Sequence, residues 1–289
     1  MKVINVEQNT PEWLEFRRSR IGASDASTVM GENPWKTPHK LWEEKLMPFH
    51  ETSVTPAMQR GIDLEPVARE AFIRQTGIPV EKIVVQHDEY DWMIASLDGI
   101  NTDHKIVVEI KCPGELDHRA AQDGNIPMKY YGQVQHQLAV TGYDLAYYYS
   151  FDGTRGVVVD VERDDDYISA MIDREMEFMR CLQEMIAPKM SCRDYDYRDE
   201  DEEWLEQAKA YLEAEEQLKK WELEVSMHRS KLEDLAGGYS VSGGGIILQK
   251  VLRKGPVDYS KVEALQGVNL EPYRKPASES YRLIKKGAV

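Results

Sequence analysis

Residues 96–114 read SLDGINTDHKIVVEIKCPG. One apolar run closes on Asp98, a turn-forming stretch follows, and a second apolar run carries Glu109 and Lys111 with a single residue between them. Short β-branched runs bounded by Gly, Asn and Asp predict two strands, with Asp98 at the end of the first. Side chains two apart on a strand share a face, so Glu109 and Lys111 point one way while Val108 and Ile110 point the other. Two charged groups on one face of an apolar strand cost free energy unless they are paired or used. A hairpin connection brings the Asp98 carboxylate beside Glu109. Two carboxylates held together call for a cation, and hard oxygen ligands favour Mg²⁺ or Mn²⁺. A nearby ammonium can then orient or deprotonate a water, or stabilise charge developing on a phosphate. The stretch carries the equipment of metal-assisted phosphodiester hydrolysis.

The flanking sequence sets this hairpin in a larger sheet. NTPEWLEFRRSR predicts a helix with Thr10 as N-cap and Pro11 in its first turn, where the missing N–H costs nothing. The segment from Val54 to Gly77 repeats the signal with Thr55 and Pro56. IPVEKIVVQ, DWMIASLD and KIVVEIKC read as strands, and IPMKYYGQVQHQLAVTG as a helix ending at Gly142. Two more strands lie around the Asp152-Gly153 turn, and a last amphipathic helix begins at DDDYISAM. The expected architecture is a mixed α/β sheet with helices on its faces.

At 289 residues and 42% hydrophobic, the chain can bury a full core. Its net charge of −15 argues against a general nucleic-acid coat, though it leaves room for a local basic groove. Cys112, Cys181 and Cys192 are odd in number and far apart, which excludes a disulfide framework or a four-thiolate metal site and reads as buried thiols. With no charged-then-apolar leader and no apolar run of spanning length, the expected location is the cytoplasm. Acidic residues crowd 193–207, whereas residues 240–289 carry a net +5. Charge therefore predicts three pieces: residues 1–190, an acidic helical segment 191–236, and a basic module 237–289 opened by LAGGYSVSGGG. In the acidic segment Trp204, Tyr211, Leu218, Val225 and Leu232 recur every seven positions, but the companions four residues on are Ala208, Glu215, Glu222 and Arg229, which gives a helix with a narrow apolar stripe and not a persuasive coiled coil. The basic module reads as a strand from Gly243, a Gly-Pro turn, a short helix and a final strand, a small α+β tail.

Around Asp98, Glu109 and Lys111 the chain resembles the PD-(D/E)XK nucleases. Residues 1–190 resemble more narrowly the YqaJ-type phage recombinases, close to lambda-type exonuclease, through WLEFRRSRIGASDA, RGIDLEPVAREAF, SLDG, VVEIKCP and YYGQVQHQLAVTG in that order. The resemblance implies a restriction-endonuclease-like core in which Asp98, Glu109 and the carbonyl of Ile110 bind Mg²⁺, with Mn²⁺ able to substitute, and Lys111 serves the attacking water. It implies that Glu65 is an extra acidic residue and Gln133 the glutamine of a helical motif. Arg17 and Ser24 stand where the family contacts a 5′-terminal phosphate. Arg119 stands slightly late for the second phosphate contact. The implied activity is 5′ to 3′ exonuclease action on linear duplex DNA, leaving 3′ single strands for an annealing partner, in a phage or prophage setting and as a homo-oligomeric ring.

Each site residue has a plainer role open to it. A strand-borne Glu-x-Lys can be a surface ion pair. Glu65 can be a solvated helix residue, and Gln133, Gln135, His136 and Gln137 the polar face of a helix. Arg17, Arg18 and Arg20 can lie along the first helix without a ligand, and Ser24 with Asp25 can cap the helix that follows. Two other functions share this core, a restriction or repair endonuclease and an inert DNA-end binder.

Overall fold

The computed structural model describes residues 1–6, 10–47, 55–253 and 255. Two compact units divide the chain, Met1–Tyr197 and Arg198–Val289. The first unit contains β1 (Lys2–Ile4), α1 (Pro11–Arg18), β2 (Ile21–Gly22), α2 (Ala23–Val29), α3 (Pro38–Leu46), α4 (Pro56–Thr76) and β3 (Glu81–Gln86). It continues with β4 (Met93–Asn101), β5 (Ile106–Lys111), α5 (Glu115–Gln122), α6 (Met128–Thr141), β6 (Leu145–Phe151), β7 (Gly156–Glu162) and α7 (Asp165–Glu184).

The strands form one seven-stranded sheet in the order β1-β3-β4-β5-β6-β7, with β2 added alongside β4. Most neighbours run antiparallel; β5 with β6 and β2 with β4 are parallel. A parallel pair cannot be closed by a tight turn, so the chain leaves β5 through α5 and α6 before returning as β6. This crossover lays α6 on the sheet beside β5. Val107 joins the core shared with Leu138 of α6, whereas Val108 and Ile110 join the opposite core with Ala68 and Phe72 of α4. The alternation read from the sequence therefore holds along β5.

Thr10 and Thr55 cap α1 and α4, accepting the N–H groups of Trp13 and Met58, each 3.2 Å away. Gly77 and Gly142 end α4 and α6 with left-handed φ of 73° and 69°. Strand β4, however, does not stop at Asp98. It continues to Asn101, and a bulge takes the place of a strand end: Ile83 faces Leu97 but Glu81 faces Ile100, so Lys82 alone opposes Asp98 and Gly99. Bulges re-aim side chains, and this one turns Asp98 toward β5. Glycine is required beside it, because a Cβ on Gly99 would lie 2.8 Å from Val80 Cγ2 and 3.2 Å from Val108 Cβ.

Several other expectations need correction. Helix α2 begins at Ala23 with Gly22 as N-cap, and Asp25 alone serves it, accepting the Gly22 N–H at 3.1 Å; Ser24 points elsewhere. His136, Gln135 and Gln137 are fully buried and form no solvent-facing side, because α6 is packed between the sheet and both α2 and α7. Of the three unpaired thiols only Cys181 is buried; Cys112 is half-buried and Cys192 exposed. The sequence reading also passed over β1, β2, α3 and α5.

In the second unit α8 (Glu202–Ala236) starts at an Asp201 cap and ends at Gly237, φ 56°. The Gly-rich stretch that reads as a boundary contains a hairpin of β8 (Val241–Gly243) and β9 (Ile246–Leu248). Gly244 and Gly245, at φ 59° and 81°, make its two-residue turn. The Gly-Pro turn, helix and last strand expected after it lie outside the described residues. Among the described residues no helix is long and apolar enough to cross a membrane.

Candidate active site

The β4–β5 ladder pairs Gly99 with Val108, which sets Asp98 and Glu109 opposite each other one step further along. There the Asp98 side chain enters the ladder, its Oδ2 accepting the Ile110 N–H at 3.0 Å. The Glu109 side chain is 1% exposed, and three donors surround it. Lys111 Nζ pairs with Oε1, Gln133 Nε2 donates to the same oxygen at 2.7 Å, and Gln137 Nε2 donates to Oε2 at 2.5 Å. Burial pushes the Asp98 carboxyl up to about 8, the Glu109 charge adds to the rise, and Lys111 opposes it. Burial works against the Lys111 ammonium as well, but Glu109 and Asp98 outweigh it and hold the lysine protonated well above its ordinary value. The arrangement thus makes Lys111 a donor and a positive charge.

Helix α4 adds Glu65, whose Oε1 accepts from Arg69 Nη2 at 2.5 Å and Lys82 Nζ at 2.9 Å. Arg69 also donates through Nε to the Asp98 carbonyl at 2.6 Å, fastening the bulge to α4. On the other side of the cleft, Arg17 Nη2 donates to Ser24 Oγ at 2.6 Å and to Asp25 Oδ1 at 2.9 Å. Lys45 Nζ reaches Asp25 Oδ2 at 2.9 Å. Burial alone would raise the Asp25 carboxyl, yet Arg17 and Lys45 together hold it well below the usual carboxylate range. Two cations on one carboxylate leave an excess positive charge, and the half-exposed Arg17 carries it to the surface.

Arg17, Ser24, Glu65, Asp98, Glu109, Ile110, Lys111 and Gln133 all line one cleft of about 380 Å³. Arg119 does not. It lines a separate hollow of about 390 Å³ with Arg60 and His118 and pairs with Glu115 at 2.7 Å. A larger hollow, about 840 Å³ between α6, β7 and the start of α7, contains none of the expected site residues.

The donor set suits one kind of metal. Among the described residues no three His, Cys, Asp or Glu side chains converge as a ready cage. Mg²⁺ needs no such cage: it keeps several waters and is held through one or two carboxylates together with substrate phosphates. Asp98, Glu109 and the Ile110 carbonyl would hold it, and its charge would offset the burial and the Glu109 charge that raise the Asp98 carboxyl.

Gln137 and Arg69 of this site, and His136 outside its cleft, were not singled out as site residues in the sequence. Gln137 lies one helical turn beyond Gln133, and that i, i+4 spacing is the signal that both reach the same partner. Arg69 stands likewise one turn after Glu65. For His136 the chain offers no signal: its Nε2 meets the Ile94 carbonyl at 3.0 Å and its Nδ1 meets Glu175 Oε1 at 2.8 Å, a contact between elements distant in sequence.

Residues 12–144, which contain this whole cleft, match the YqaJ-like viral recombinase domain. The chain is 36% identical over 181 residues to the YqaJ protein of Bacillus subtilis, across 60% of this chain and 56% of that protein. It is 32% identical over 160 residues to the R354 protein of Acanthamoeba polyphaga mimivirus, across 50% of this chain and 29% of the relative. The chain therefore spans about half the length of the first relative and under a third of the second. A crystal structure of the alkaline exonuclease LHK-Exo from Laribacter hongkongensis superposes with a TM-score of 0.54 at 28% identity, covering 70% of this chain and all of that one. LHK-Exo is also known in complex with dAMP. The chain thus shares the mixed sheet and flanking helices of that exonuclease structure.

Proposed function

We propose that this chain is a Mg²⁺-dependent exonuclease that degrades linear double-stranded DNA from 5′ to 3′ and leaves 3′ single strands for an annealing partner in phage-type recombination. One observation carries the chemistry: Asp98 and Glu109 are set opposite each other across a hairpin, with Lys111 paired to Glu109, in a single cleft. Bound Mg²⁺ would supply Lewis acidity toward the phosphodiester and a more acidic water. The chain's own groups do the rest. Glu109 and Asp98 offer oxygens of fixed direction, Lys111 donates a hydrogen bond toward the attacking or leaving oxygen, and Gln133 keeps Glu109 from turning. Mn²⁺ should substitute, since it accepts the same oxygen donors.

Direction and end preference rest on the Arg17–Ser24 corner together with the family likeness. A terminal phosphate carries more charge than an internal one, and a guanidinium beside a hydroxyl near a helix start favours it. Arg17 is free to turn from Asp25 to such a group because Lys45 remains behind on Asp25. The acidic chain would stay on DNA by enclosing it as a homo-oligomeric ring, a trimer or tetramer, whose basic groups line only the channel. The setting we propose is the cytoplasm of a bacterial host.

Incubation of linear and closed circular duplex with protein and Mg²⁺ tests the reading. Loss of the linear form alone is expected; cutting of the circle would assign an endonuclease, and survival of both an inert end binder. With the same preparation, linear duplex carrying 5′-phosphates is expected to be digested about tenfold faster than duplex with 5′-hydroxyls, the lower end of what a charge-assisted hydrogen bond contributes. Arg17→Ala should remove most of that difference by slowing the phosphorylated substrate. Equal single-turnover rates on both ends in the wild type would remove the pocket, and an unchanged ratio in the variant would clear Arg17.

A further inference from the structure

Four polar side chains lie on the inner part of α6, and they are not treated alike. Gln135 is fully buried with both ends used: its Nε2 donates to the Glu162 carbonyl at 2.8 Å and its Oε1 accepts the Asp164 N–H at 3.0 Å. His136 is likewise held at both nitrogens. Gln133 is half-buried at the cleft and donates to Glu109. Gln137 is the exception. It is fully buried, its Nε2 donates to Glu109 Oε2, and its Oε1 has no partner.

A buried carbonyl left without a donor is destabilising, and an apolar side chain of the same length would avoid that. The amide cannot turn to find another partner, because turning it would set Oε1 against the Glu109 carboxylate. Gln137 therefore keeps an unfavourable placement at one end in order to hold Glu109 at the other. Polar groups kept at a cost to the fold are where function is to be sought. Gln133 and Gln137 take one oxygen of Glu109 each, so the plane of that carboxylate is fixed from α6.

We infer that Gln137 is a positioning residue: it fixes the outward direction of the Glu109 carboxylate so that it meets a divalent cation shared with Asp98, and it acts on the cation only through Glu109. The inference deepens the metal-dependent nuclease reading and rests on it. Groups behind a metal ligand typically change affinity or activity by about 10–100-fold when removed. Gln137 differs from a packing residue in what its loss should change.

The test is Gln137→Met, which keeps length and removes the donor, with Gln137→Asn as a second variant whose amide falls short of Glu109. Three quantities are measured for each: the Mg²⁺ concentration giving half-maximal cleavage, the KM for linear duplex, and the rise in melting temperature that Mg²⁺ produces without DNA. Half-saturating Mg²⁺ is expected to rise about tenfold or more, the Mg²⁺-induced melting shift to shrink, and KM for DNA to stay as in the wild type. Mn²⁺, which binds such sites more tightly, should recover most of the rate. A folded variant of either kind with wild-type Mg²⁺ response in both cleavage and melting overturns the inference. So does a loss of rate that neither Mg²⁺ nor Mn²⁺ relieves. The two readings fail differently, because a wild-type chain without any Mg²⁺-dependent cleavage defeats the nuclease proposal itself.

Discussion

Glu109→Gln should reduce Mg²⁺-dependent cleavage of linear duplex by about a thousandfold or more while the protein still folds. The expectation follows from what the substitution leaves in place. Size and hydrogen-bonding reach are kept, so Gln133 and Gln137 retain a neighbour, but the charge that attracts a cation is gone. A bound metal contributes several kcal/mol to such a transition state, and each ~1.4 kcal/mol is tenfold in rate. Stability should change far less, by about 1–3 kcal/mol, because one of the donors around the side chain will meet an amide N–H₂. Asp98→Asn should behave in the same way. The measurement is a single-turnover rate set beside a thermal melt of the same sample. Cleavage near the wild-type rate by either folded variant would show that the β4–β5 hairpin is not where the chemistry takes place.

Lys111→Ala should separate metal binding from turnover. The lysine pairs with Glu109 and also lies 5.4 Å from the Tyr130 ring centre, so its ammonium is held between a carboxylate and an aromatic face. Removing it takes a positive charge from beside two carboxylates, and their attraction for a cation can only grow. What is lost is the donor that meets charge developing on the phosphate, and loss of one such donor in a water-poor site costs about 10²–10³ in rate. The Mg²⁺-induced rise in melting temperature is therefore expected to persist or increase while turnover falls by that factor. A variant that loses both together would make Lys111 part of the metal's support and not of the reaction; one that keeps turnover would remove it from the site.

Much of the site is legible in the sequence because a hairpin is a local device. Once two strands and their turn are recognised, the period of two fixes which side chains share a face, and Asp98 has nowhere to go but beside Glu109. The bulge that achieves this is less visible. SLDG contains its glycine, but the reason only glycine fits is Val80, which approaches from a distant part of the chain. Helix α3 shows the opposite case. Thr37 and Pro38 repeat the Thr-Pro signal that marks α1 and α4, so that helix could have been read and was passed over. Strand β2, at two residues, exists only through its pairing with β4 and has no pattern of its own. The polar residues of α6 mislead for a physical reason. Polarity along a helix normally marks its wet side, whereas here glutamine and histidine face inward because partners on β5, β7 and α7 are waiting for them. Amphipathicity says which residues are polar and not whether the fold has supplied their hydrogen bonds.

Helix α4 carries Pro66 inside its length, one residue after Glu65. Proline has no N–H to give the Ile62 carbonyl, and its ring loosens the turn before it. The two halves differ in how they are held. Beyond Pro66, Ala68 and Phe72 are buried against the sheet, but from Thr55 to Glu65 no residue is buried, and that first half carries Met58, Gly61, Ile62 and Glu65 along the cleft. The cleft therefore has walls of unequal stiffness. The floor made by β4, β5 and α6 is braced by buried hydrogen bonds, while the opposite bank is a helical arm held by surface bonds: Arg60 donates to the Pro113 and Asp152 carbonyls at 3.1 and 2.8 Å, and Lys82 to Glu65 at 2.9 Å. One bank of the cleft is thus fastened from within the fold and the other from its surface, where water competes for every bond that holds it.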